Sequence, residues 1–188
     1  FNIPPIIKEI QTILPKSQEI FLVGGAVRDL FLKRRINDFD FTLPGNTFKV
    51  ARKIANHFDG AFYRMDDEHQ TARVIVSKAD GKRTILDFTK FRGTSIDDDL
   101  SKRDFSINAI ALNLHDLNEI YDPIAGIADL LKKELRICSD NTFLDDPVRT
   151  LRAIRLSVDF QLRMTEKTKE LLKGAIAFLP QVSTERIR

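Results

Sequence analysis

The sequence predicts an α+β fold, with helices packed on a mixed or antiparallel sheet in its first half and a mainly helical section after it. Three observations predict this. "NDFDFTL", residues 37–43, alternates polar and apolar side chains, the mark of a strand with one buried face. "TARVIVS" and "RTILDFT" are apolar, β-branched runs flanking "KADGK", whose Asp80-Gly81 suits a hairpin turn. Residues 47–58 carry apolar side chains at helical spacing.

The elements follow in order. Pro4 and Pro5 open a helix whose apolar residues are Ile6, Ile10, Ile13 and Leu14. "EIFLVGG" is a short apolar run ending in glycines, read as a buried strand and a tight corner. "AVRDLFL" starts a helix from that corner, and the 37–43 strand comes next. The 47–58 helix presents Val50, Ala51, Ile54, Ala55 and Phe58 on one stripe and stops at Gly60. After the hairpin, the chain beyond Asp97 is mainly helical, with one further hairpin near 110–121.

The 188 residues suffice for one good-sized domain, or for one domain and the start of another. A composition of 43 % hydrophobic and 30 % charged residues argues against disorder. The single cysteine, Cys138, excludes an intramolecular disulfide, and no Cys/His spacing suggests zinc. No apolar run approaches the ~20 residues of a membrane span and no signal peptide is evident, so a cytoplasmic setting is expected. The net charge of +3 is unevenly placed: residues 149–188 hold nine Lys/Arg against four Asp/Glu, or +5, which leaves −2 for the rest. Such an end suits a polyanionic partner, or is simply a solvated helix face. "QVSTERIR" reads as a cap and the first turn of a helix, so the chain is expected to be the N-terminal part of something longer.

Side chains two apart on a strand point the same way, so Asp38 and Asp40 share a face while Phe39 and Phe41 anchor the other. Two carboxylates held that close raise each other's pKa unless a cation lies between them. Ligation by oxygen alone suits Mg²⁺, and a pair of such ions can polarise the attacking and leaving oxygens of a phosphoryl displacement. Taken alone, the pair reads equally as two solvated aspartates. The Gly24-Gly25 corner adds weight, because backbone N–H groups there can approach phosphate oxygens at a helix N-terminus. Arg28, one turn on, offers a guanidinium for bidentate phosphate contact. "GGAVRD" has neither the dinucleotide-binding glycine spacing nor a G-K-[ST] loop. Asp87, flanked by Leu86 and Phe88, is a candidate third carboxylate, or else a residue of an open sheet face.

"DDPVRTLRAIRL" opens a helix with Asp145 or Asp146 as cap and Pro147 first. Asp145 is read as a plain cap. Asp146 and Arg149 are helix-surface neighbours, and Arg152 and Arg155 continue a basic edge. A carboxylate accepts and a guanidinium donates, matching the amino donor and ring-nitrogen acceptor of cytosine and adenine; uracil and guanine present the reverse. Two mispaired buried groups at ~1–3 kcal/mol each would discriminate by roughly 10²–10⁴. "DDDLSKRDFSINAIAL" offers Arg103 as a second donor, with Asp104 and Asn108 for a ribose hydroxyl or phosphate. The alternative is an Asp99–Arg103 ion pair on a helix.

In sequence order, "LVGGAVRDLFL", "NDFDF", "SKRDFSINAIAL", "YDPIAGIADL", "DDPVRTLRAIRL" and "VSTERIR" together resemble class II tRNA nucleotidyltransferases and the related bacterial poly(A) polymerases. The resemblance implies a polymerase-β-type nucleotidyltransferase head over residues 1–140 and the start of an all-α neck over 141–188, without the body and tail that hold the tRNA elbow. It implies that Asp38 and Asp40 bind the catalytic metals and that Gly24, Gly25 and Arg28 handle the triphosphate. Asp146 and Arg149 would form the amino-acid template for CTP or ATP. Lys102 replaces the first arginine of the family's Arg-Arg-Asp motif, which Arg103 and Asp104 complete. The stretch between "TKFRG" and "DDDLSKRDF" is very short, where CCA-adding members carry a longer loop that CC-adding members lack. Either the chain adds only two cytidines to tRNA, or a loop is absent from the sequence as given. The nearest rival is a poly(A) polymerase sharing every motif; the rival of another class is a non-catalytic RNA-binding module.

Overall fold

The computed structural model describes residues 3–77, 81–183 and 186. The chain divides into two compact units, Phe1–Asp99 with Ile110–Tyr121, and Leu100–Ala109 with Asp122–Arg188.

The first unit is built on a seven-stranded mixed sheet of order β3-β4-β5-β2-β1-β6-β7. Its strands are β1 (Phe21–Val23), β2 (Asp38–Leu43), β3 (Ala61–Asp66), β4 (Thr71–Ser77), β5 (Arg83–Lys90), β6 (Ala111–Asn113) and β7 (Ile120–Tyr121). Only β2 and β5 pair in parallel; the other neighbours are antiparallel. The alternation in "NDFDFTL" is realised: Phe39 and Phe41 are buried while Asp38 and Asp40 are exposed. Across the sheet, Phe39, Leu86 and Val74 stand level, as do Phe41, Phe88 and Ala72, and all six are buried. The Phe41 and Phe88 rings stack at 4.9 Å. The predicted β4–β5 hairpin forms in register with Ser77 opposite Arg83, though Lys78–Asp80 of its turn lie outside the described residues.

Helices α1 (Pro5–Ile13), α2 (Gly25–Phe31) and α3 (Thr47–His57) accompany this sheet. Asn46 caps α3 by accepting the Lys49 amide, and α3 buries Val50, Ala51, Ile54 and Ala55 as its spacing predicts. Two details differ from expectation. In α1 the core stripe is Ile7, Ile10 and Leu14, with Ile6 and Ile13 half-buried, because the i, i+3, i+7 row turns Ile7 inward. At the end of α3 the left-handed residue is Asp59 (φ 49°), not Gly60. Gly60 still closes the helix, its amide donating to the Ala55 carbonyl at 2.8 Å, and a Cβ there would lie 3.0 Å from the Ile75 carbonyl oxygen. β5 passes to α4 (Ile96–Ser101) through a closed turn in which Asp98 accepts the Thr94 amide and hydroxyl and Asp99 accepts the Arg92 amide.

The second unit is mainly helical. It holds a 3-10 turn at Ser106–Asn108, α5 (Gly126–Lys132), the short pair β8 (Glu134–Leu135) and β9 (Arg163–Met164), α6 (Thr142–Asp145), α7 (Val148–Asp159), α8 (Glu166–Ala175) and a 3-10 segment at Ile176–Gln181. Asp122 caps α5 by accepting the Gly126 and Ile127 amides, and Thr165 caps α8. Phe105 and Phe143 are fully buried, their rings 6.3 Å apart. Asp145 is not the cap of α7: it closes α6, and it is the Asp146 carboxylate that accepts the Val148 amide, with Pro147 just ahead of the helix. Of the expected terminal helix, Thr184, Glu185, Ile187 and Arg188 lie outside the described residues. Among the described residues no helix is long and apolar enough to cross a membrane.

Candidate active site

In the first unit, register brings the predicted residues together. Val23 stands opposite Asp40 across β1 and β2, so the chain leaving β1 at Gly24 and Gly25 runs beside the end of β2 that carries Asp38. Gly24 has φ 70° and ψ −142°, a conformation reserved for glycine, and it is the cap from which α2 starts. Its first-turn N–H groups are left without helical partners at the corner. Arg28 is not extended from α2. Its guanidinium folds back, donating to Asp29 Oδ1 at 3.0 Å, with Nη2 3.4 Å from where a Gly25 Cβ would sit.

Asp87 lies level with Asp40 on the neighbouring β5, and Arg73 on β4 lies level with Asp87. Arg73 donates Nε to Asp87 Oδ1 and Nη2 to Oδ2, both at 2.8 Å. The hydrogen bond to Asp87 raises the Arg73 pKa most, burial opposes it, and the charges of Asp87, Asp38 and Asp40 add to the rise. Three carboxylates and one guanidinium thus share one face of the sheet.

In the second unit, Asp104 is buried and fully engaged. Oδ1 accepts from the Phe105 amide and from Asn108 Nδ2, and Oδ2 accepts from Nε and Nη2 of Arg152. Burial alone would push its pKa up; the Arg152 charge and these hydrogen bonds outweigh it and hold the carboxyl below its usual range. A carboxylate has about four acceptor positions and all of them are used, so Asp104 fastens the unit, with Asn108 giving it one amide hydrogen. Arg152 is turned to Asp104 although it stays partly exposed, and Arg155 is exposed. Arg103 is half-buried. Asp146 gives Oδ1 to the Val148 amide and Oδ2 to Arg186, at 3.2 and 3.0 Å. Arg149 donates Nη1 to the Thr142 carbonyl at 3.3 Å.

Sequence reasoning missed Arg73 and Arg186. Counting equal steps back from the hairpin turn places residue 73 opposite residue 87, so Arg73 was within reach. Arg186 meets Asp146 from forty positions away, and no local signal announces that contact.

The sequence matches the poly A polymerase head domain over residues 20–136. The chain belongs to this family. Among curated proteins, the CC-adding tRNA nucleotidyltransferase of Synechocystis is 35 % identical over 169 residues, covering 89 % of this chain and 39 % of the relative. Among solved structures, the Thermotoga maritima CCA-adding enzyme complexed with tRNA superposes with a TM-score of 0.85 at 31 % identity, covering 98 % of this chain and 47 % of the other. A complex of a CCA-adding enzyme with CTP gives 0.85 at 30 % identity, covering 98 % and 47 %. The chain spans less than half the length of the curated relatives it matches.

Nucleotidyltransferases of this family's kind use divalent metal ions. Among the described residues no group of three or more His, Cys, Asp or Glu is arranged to hold a metal. Asp38 and Asp40 nevertheless fit one. They are oxygen donors on one exposed face, and both act on Arg73, so their negative fields converge. Two carboxylates with substrate phosphates and water completing the shell is the ligand set that Mg²⁺ takes.

Proposed function

We propose that the chain carries the nucleotide-adding part of a tRNA nucleotidyltransferase, which transfers CMP from CTP to the 3′ end of tRNA and releases pyrophosphate in the cytoplasm. Residues 1–140 are read as the head and 141–188 as the start of the neck. The observation that carries the reading is the register of Val23 with Asp40, which sets the glycine corner beside the paired carboxylates. Mg²⁺ held by Asp38 and Asp40 would supply activation of the primer's 3′-hydroxyl and charge neutralisation on the departing pyrophosphate. Gly24, Gly25 and the first-turn amides of α2 receive phosphate oxygens, and Arg28 swings from Asp29 to the triphosphate. Asp87 completes the acidic face. Asp146 and Arg149 read the base edge, with Arg186 and the Val148 amide holding the Asp146 carboxylate still; Arg103 supplies a further donor.

The closed turn between β5 and α4 supports addition of two cytidines without the following A. Incubating tRNA that lacks its terminal CCA with each single nucleotide tests this. Two C residues from CTP and nothing from ATP is the expected result. Addition of A after CC shows a CCA-adding enzyme, long A tracts a poly(A) polymerase, and no incorporation a non-catalytic RNA-binding module. Asp40→Asn should lower incorporation by at least about a hundredfold with the fold intact by circular dichroism; an active Asp40→Asn protein removes the metal site from the reading.

A further inference from the structure

Arg73 and Asp87 form a two-pronged pair on directly opposed positions of β4 and β5. Asp87 is in turn level with Asp40, so guanidinium and two carboxylates make one row across three strands. The row is not buried: the Arg73 side chain is 37 % exposed and that of Asp87 25 %. Like charges on one face repel, and a guanidinium never gives up its proton at any ordinary pH. We propose that Arg73 is a resident counter-cation of the acidic row, fixing Asp87 and contributing to the balance of Asp38 and Asp40 until a divalent ion takes over that charge. The proposal rests on the reading of Asp38 and Asp40 as metal ligands. It makes Arg73 a positioning residue that acts through Asp87, and one whose positive charge opposes the incoming cation. The metal-free protein is thereby more stable, and its metal affinity lower, than the carboxylates alone would dictate.

The test is Mn²⁺ binding to the intact, nucleotide-free protein, followed by electron paramagnetic resonance. Arg73→Gln should bind Mn²⁺ roughly tenfold more tightly, since a full charge near the site is removed, while Arg73→Lys keeps the charge and the wild-type affinity to within about twofold. Thermal melting in chelator and in Mn²⁺ gives a second readout: Arg73→Gln melts lower than wild type in chelator and gains more from Mn²⁺. A purely structural pairing predicts neither tighter binding nor the larger gain. An Arg73→Gln affinity equal to or weaker than wild type overturns the proposal, and so does an equal response to Mn²⁺ in the melts. Asp38→Asn and Asp40→Asn separate the two levels. If they leave Mn²⁺ binding intact, the metal-site reading itself fails. If they abolish it while Arg73→Gln binds as wild type does, only the counter-cation role fails.

Discussion

Asp104 is held by the Phe105 backbone amide and the Asn108 side-chain amide on one oxygen and by Arg152 on the other, and its carboxyl stays ionised below the usual range. A carboxyl whose pKa is lower folded than unfolded contributes stability that is fully present above the unfolded value of about 3.9 and is lost as pH falls through the folded one. Arg152→Met should therefore cost about 1–2 kcal/mol at neutral pH, since it removes the main counter-charge of a buried carboxylate, from a guanidinium that solvent already partly screens. Urea denaturation at pH 7 and again near pH 3 should show the gap to wild type narrowing as Asp104 takes up a proton. Base choice is also decided at this scale. Arg149→Ala should relax the preference for CTP over UTP by about tenfold or more, with a smaller change in triphosphate binding, measured as a split between the two nucleotides' kcat/KM. The facing of Asp38 and Asp40 was legible, because strand period settles it without knowledge of any partner. The engagement of Asp104 was not: Arg152 is forty-eight positions away, and the same spacing of polar groups suits a ligand as well as an ion pair.

Strand β2 and helix α3 show what periodicity can and cannot convey about an element. Alternation located both faces of β2, and the spacing of Val50, Ala51, Ile54 and Ala55 located the inner face of α3. The Phe41–Phe88 stack ties β2 to β5, the two strands bearing the acidic residues. Phe41→Ala should destabilise the protein by about 3–5 kcal/mol, read from the shift in the urea midpoint, and Phe41→Leu by much less. Activity of the surviving folded Phe41→Ala protein should fall too, since the same ring steadies the backbone of Asp40. The two-residue strands β8 and β9 and the four-residue α6 escaped notice because none is long enough to complete a pattern. Gly60 was legible as the stop of α3, whose end its amide closes on Ala55, but its close approach to the β4 backbone leaves no trace in sequence.

For the molecule as a whole, composition indicated an ordered α+β chain, while its partition was hidden. Residues 100–109 belong to one unit and 110–121 return to the other, an exchange set by contacts and not by sequence distance. The +5 charge of residues 149–188 is only partly available to a polyanion, because Arg152 and Arg186 already face carboxylates. Arg155 is exposed, and Arg155→Ala should weaken tRNA binding by a similar factor for every tRNA tested and reduce the slope of log K against log salt by about one. Filter binding across a potassium chloride series would measure it. The parallel pairing of β2 with β5 has its own consequence at this scale. Asp38 stands level with Ile85 although α3, β3 and β4 lie between them in the chain, so the loop closed by this pairing is long and its closure costs entropy. Because that pairing joins positions 47 apart in the chain, the acidic face of β2 and β5 exists only once this long-range contact has formed, and a variant that loosens it should lose the face as a unit.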